Sequence, residues 1–191
     1  IHEQKNWPKF TWDTELITKI LGAVRHRQGK IIGQMQSLGF RIQEETMLKA
    51  LTLDVIKSSE IEGELLNQEQ VRSSIARRLG IEIAGTLKVE RDVEGIVEMM
   101  LDATQRFEAP LTAERLFDWH AALFPTGRSG IYKIKTADWR DEVMQVTSGP
   151  MGKEKIHFEA PAASKVPIEM SVFLKWIEDE QNLDPVLKAG I

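Results

Sequence analysis

Glu62 is an acid placed where a helix would ordinarily carry an apolar residue. Upstream of it, Leu48, Leu51 and Val55 recur at i, i+3 and i+7, the spacing of one helix face. Continued along that face, the next positions are Ser58 and then Glu62. The positions three and four residues either side of Glu62 hold Ser58, Ser59, Leu65 and Leu66, so no local cation can pair with it. Gly63 reads as a helix stop, which sets Glu62 at the negative end of the helix dipole. A half-buried carboxylate there is unfavourable unless a cation reaches it from elsewhere in the fold. In the other reading the helix turns slightly and Glu62 is simply solvated. The residues alone leave both open.

The remaining reactive side chains are sparse. His2 and His26 sit among charged neighbours and read as surface residues. His120, between Trp119 and Ala121, reads as a hydrogen-bonded structural histidine, and His157 lies in a strand beside Phe158. No two histidines have metal-ligand spacing, so no metal site is expected. A glycine-rich phosphate loop, a dinucleotide fingerprint and a Gly-x-Ser-x-Gly elbow are all missing from the sequence. Ile75 to Ile81 resembles the first helix and turn of a helix-turn-helix reader, but Glu82 to Thr86 makes a poor recognition helix. DNA is therefore not an expected partner, and Arg72, Arg77 and Arg78 read as solvated.

The elements that must position these groups are mostly helical. Helices are expected from about Thr14 to Gly39, capped by Asp13 or Thr11, and from about Gln43 to Glu62. Another is expected between a capping-box-like start at Asn67 to Gln70 and a stop at Gly80. Val89 to Phe107 is periodic through Val93, Ile96, Val97, Met100 and Leu101. Thr112 caps a helix carrying Leu116, Trp119, Ala122 and Leu123. From Thr126 to Pro167 the composition turns to Gly, Pro and β-branched residues. Val143 to Thr147 and Lys155 to Glu159 read as two strands joined by the turn Ser148 to Gly152. Helix resumes near Pro167 with Met170, Phe173, Leu174 and Ile177 inward. Asp184 and Pro185 open a last helix. The expectation is an all-α fold, a helical bundle with one β-hairpin, which either packs over the core or offers its exposed edge to an extended partner segment.

The 191 residues can bury a real core. A net charge of −4 argues against a general nucleic-acid or anionic-membrane surface. Without cysteine there is no disulfide, thiol catalysis or thiolate metal site, which suits a cytoplasmic protein. No apolar run reaches the roughly 18 residues of a membrane-spanning helix, and Ile1 to Lys5 shows no signal-peptide pattern. Ile1 suggests a start that lies upstream.

Ser58-x-x-x-Glu62-Gly63 resembles the inhibitory-helix pattern Ser/Thr-x-x-x-Glu-Gly/Asn of Fic-family proteins. Similar stretches run through Trp7-Pro8 with Phe10 to Trp12, Gln70 to Gly80, Arg91 to Thr104 and Leu116 to Gly130. The hairpin from Trp139 to Pro161 resembles that family's flap. The resemblance covers nearly the whole chain. It implies residues 1–110 as an N-terminal helical region with the inhibitory helix at about 43–63, and 111–191 as the first part of a Fic core. It further implies transfer of AMP from ATP, with Mg²⁺, onto a Ser, Thr or Tyr hydroxyl of a target protein docked on the flap. On that basis Glu62 would be the inhibitory residue, pairing with a phosphate-binding arginine, with Ser58 supporting the helix end and Gly63 terminating it. Val146, Ile156, His157 and Phe158 would face the target or the nucleotide.

The loop that supplies the family's chemistry, His-x-Phe-x-Asp/Glu-Gly-Asn-Gly-Arg-x-x-Arg, does not occur in the sequence. It would follow Ile191, so no catalytic residue is expected in these residues, which alone should be inactive. The resemblance leaves open inhibition within one chain or across a homodimer. The rival expectation is a non-catalytic interaction or regulatory module.

Overall fold

The structure, a computed structural model, describes residue 5 and residues 9–83, 87–150, 152–180 and 182–191. His2, Trp7, Pro8, Ala84 to Thr86 and Met151, on which some sequence expectations fall, lie outside the described residues. The chain divides into two compact units, residues 1–50 with 182–191, and residues 51–181. The boundary expected at 110/111 falls inside the second unit.

The first unit holds α1 (Thr14–Gln36), the opening turns of α2 (Phe40–Ile61) and α7 (Pro185–Gly190). Asp13 caps α1 by accepting the Leu16 N–H at 3.0 Å, and His26 is exposed on it. Asp184 caps α7 by accepting the Val186 N–H at 2.9 Å and also takes Arg25 at 3.0 Å. These two donors, the Val186 N–H first, hold the Asp184 carboxyl below the usual carboxylate range.

The second unit holds the rest of α2 with α3 (Gln68–Leu79), α4 (Arg91–Gln105), α5 (Ala113–Leu123) and α6 (Val166–Asp179). Its buried apolar side chains come from α2 (Val55, Ile56), α3 (Val71, Ile75, Ala76) and α4 (Val93, Val97, Leu101). Along the chain, α3 packs on α4, α4 on α5 and α5 on α6. Asn67 caps α3 through the Gln70 N–H at 3.0 Å, and Gly80 ends it in the left-handed region at φ +69°. Gln70 does not complete a capping box. Its amide oxygen accepts the Glu90 N–H at 3.0 Å instead, so one side chain ties the starts of α3 and α4.

Two antiparallel strand pairs interrupt the helices, one more than expected. β1 (Arg128–Ser129) pairs with β2 (Tyr132–Lys133), and β3 (Gln145–Ser148) with β4 (Lys155–Glu159). The expected inward face of α6 is also corrected. Met170, Leu174 and Ile177 are half-buried, but Phe173 is 43% exposed, its ring lying over Trp176 at a centroid distance of 6.3 Å. Among the described residues, no helix is long and apolar enough to cross a membrane.

Candidate functional site

The buried face of α2 runs through Leu48, Thr52, Val55, Ile56 and Ser59. It is rotated from the face drawn through Leu51 and Ser58: Leu51 is only half-buried and Ser58 is exposed. Ser59, not Ser58, therefore supports the helix end. Its carbonyl accepts the Glu62 N–H at 3.1 Å and the Glu64 N–H at 2.9 Å, while Glu60 O accepts the Gly63 N–H at 3.0 Å. Gly63 has φ +85°. This pair of reversed bonds around a left-handed glycine is a Schellman closure, with Glu62 as the last half-helical residue.

The closure fixes where Glu62 stands. Its side chain is exposed, so the half-buried expectation gives way to the solvated one. Among the described residues its carboxylate has no hydrogen bond or ion-pair partner. Neighbouring Glu60 differs, taking Lys57 at 2.5 Å. Ile61 and Leu65, flanking the turn, are 83% and 86% exposed. The helix thus ends in an unpaired acid set between two uncovered apolar side chains, at the negative pole of its dipole.

The flap candidates lie on the second strand pair, whose residues are exposed on both faces. Val146 sits opposite Phe158, and Thr147 opposite Ile156, leaving His157 as the extra residue of a β-bulge. The bulge changes which side chains share a face. In a regular strand Ile156 and Phe158 would lie together; here they pair with consecutive residues of β3 and so fall on opposite faces. The four flap residues are therefore not one surface. His157 turns its Nε2 to Ser148 Oγ at 2.6 Å, a partner the sequence signalled only as the first residue of the turn. The turn is closed by the Lys153 N–H on Pro150 O at 2.9 Å, with Gly149 and Gly152 at positive φ.

The hairpin's base is anchored. Trp139 meets Phe117 of α5 edge-on at 4.7 Å, and Arg140 donates to Glu142 O at 2.7 Å and to Pro161 O. His120 is half-buried, with an edge contact to Phe124 at 5.1 Å rather than the expected hydrogen bond among the described residues.

Other polar groups are committed to structure. Glu94 of α4 accepts from the fully buried Ser74 at 3.0 Å, from Arg78 at 3.2 Å and from Arg77. Arg77 and Arg78 are thus ion-paired to α4 rather than merely solvated. Residues 81–83 and 87–90, the described residues between the Gly80 stop and α4, are not helical.

A protein-family model described as a domain of unknown function (DUF4172) matches residues 1–81. The match takes in Ser58, Glu62 and Gly63 and ends beside the Gly80 stop of α3, short of the flap. No curated protein matches the sequence.

Proposed function

We propose that this chain is the regulatory helix and flap of a self-inhibited, Fic-type protein adenylyltransferase, one that moves AMP from ATP to a hydroxyl of a target protein. The observation that carries the reading is the end of α2, where the Gly63 closure holds an exposed, unpartnered Glu62. An acid at a helix C-terminus opposes the dipole at a cost of about 0.5 kcal/mol, with no compensating contact. Solvated, Glu62 needs no partner in order to fold, and its free carboxylate is open to a cation in the intact protein. In this reading the cation is the arginine that would hold the γ-phosphate, and the two open strand edges of the flap receive the target segment.

ATP and Mg²⁺ belong to the intact protein. No phosphate loop occurs in the sequence, and no group of three His, Asp or Glu side chains among the described residues converges to hold a metal. The proposal therefore assigns nucleotide chemistry to residues outside this sequence and routes no step through residues within it. The rest of the helical body is then a scaffold of the Fic-like bundle, and the active form is the intact protein.

The test is self-labelling of the intact protein with labelled ATP. Glu62→Gly raises the label at least tenfold over wild type, on the order of one lost charged contact. Equal labelling in a variant that keeps the wild-type melting temperature overturns the assignment.

A further inference from the structure

We propose that this protein associates with itself, α1 of one copy lying against α6 of a second. α1 is 23 residues long and holds no buried residue. Leu16, Ile20, Val24 and Ile31 follow one another by four, four and seven residues, so they line one face. All four are between 48% and 60% exposed. Three cations border that face: Lys19 three residues after Leu16, Arg27 three after Val24, and Lys30 three after Arg27. Val24, Arg27 and Ile31 also line an open groove of about 760 Å³ beside Pro185 and Val186 of α7.

α6 carries the complement. Ile168 and Val172, one turn apart, are 67% and 64% exposed, and Asp179 lies two turns further along their face. Glu169 borders the same face. In all, α6 holds Glu169, Glu178 and Asp179 against Lys175, whereas α1 holds Lys19, Arg25, Arg27 and Lys30 against Glu15. Arg25 is taken by Asp184. Among the described residues, Lys19, Arg27, Lys30, Glu169 and Asp179 have no ion-pair partner. Lys19 and Lys30 stand about 16 Å apart along α1, and Glu169 and Asp179 about 15 Å apart along α6, so one pairing of the helices can answer both acids.

Charge selects the occupant. α1 against α1 would set cations on cations, and α6 against α6 acids on acids, both costly at an interface. α1 against α6 pairs the charges at the rim while the two apolar faces cover each other. Such a contact is heterologous: it closes as a reciprocal dimer or runs on from copy to copy. An anionic lipid surface would also attract α1, but it would leave the apolar face of α6 uncovered.

The experiment is light scattering of the intact protein as it leaves a sizing column. Wild type is expected above the mass of one chain, and less so at high salt. Lys19→Glu with Lys30→Glu makes α1 acidic, and Glu169→Lys with Asp179→Lys makes α6 basic. Every position changed is exposed, so each double variant keeps the wild-type melting temperature. Each alone should associate about tenfold more weakly or worse. Mixed in equal amounts they should associate again, because each reversed helix then meets its opposite; misfolded variants would not.

Wild type that stays a single chain overturns the proposal. So does association that neither variant weakens, or two weakened variants that fail to rescue each other. Binding to phosphatidylserine vesicles that is lost with the α1 variant, without self-association, would make a lipid surface the occupant and also overturns it. Each of these outcomes is independent of self-labelling by the Glu62 variants, so the proposed function stands or falls separately.

Discussion

Asp102 collects donors from three side chains. Its Oδ2 accepts Arg115 Nε at 2.7 Å and Trp119 Nε1 at 2.8 Å, and its Oδ1 accepts Arg106 at 3.0 Å. Arg115 then spends its other nitrogens on the carbonyls of Asp102, Arg106 and Ala109, closing the C-terminal end of α4, and lies over the Trp119 ring at 5.0 Å. A guanidinium at that pole also meets the negative end of the α4 dipole. Arg115→Met should cost about 1.5–3 kcal/mol, because it removes one of the three donors to Asp102 and the shared donor of several carbonyls; thermal unfolding reads it. Arg115 and Trp119, followed by the charges of Arg115 and Arg106, hold the Asp102 carboxyl below its ordinary value of 3.8. Its folded value is depressed, so its stabilisation is complete above the ordinary value and is lost as pH falls through the folded one. Asp102→Asn should therefore flatten the fall of melting temperature below about pH 4; an unchanged slope would contradict this.

At the scale of elements, two glycines in helix interiors predict opposite results for one substitution. A Cβ on Gly95 would lie 1.8 Å from Ala122 O, so α4 and α5 approach as closely as they do only because that position lacks a side chain. Gly95→Ala should destabilise by about 3 kcal/mol through forced separation of the two helices. A Cβ on Gly22 of α1 meets nothing within 4 Å, so Gly22→Ala should stabilise by about 0.5–1 kcal/mol. Denaturant titration of the two variants checks both signs.

Helix positions were largely legible because their signals are local: Asp13, Asn67, Thr112 and Asp184 each cap the helix they precede. What stayed hidden depends on small rotations or distant partners. The α2 face is carried by Thr52 and Ser59, which hydropathy does not mark as core. The His157 bulge is a matter of register, which no residue type announces. The first strand pair spans two residues a side, too short for alternation to register. Arg115 and Asp102 are 13 residues apart and meet only once α4 and α5 have packed.

For the whole molecule, the proposed function would make the end of α2 a restraint on adenylyl-transfer chemistry that these residues do not themselves carry. Its candidate residues were readable from spacing, whereas the exposure of Glu62, the role of Ser59 and the uncovered Ile61 and Leu65 needed the structure. The central claim is that the Glu62 carboxylate, and not the shape of the helix end, imposes the restraint. Glu62→Gln keeps the length of the side chain and the Gly63 closure while removing the charge. The most direct measurement is the rate of self-labelling of the intact protein with labelled ATP for wild type, Glu62→Gln and Glu62→Gly. If the charge imposes the restraint, the glutamine variant rises most of the way to the glycine variant. A glutamine variant as quiet as wild type would contradict it.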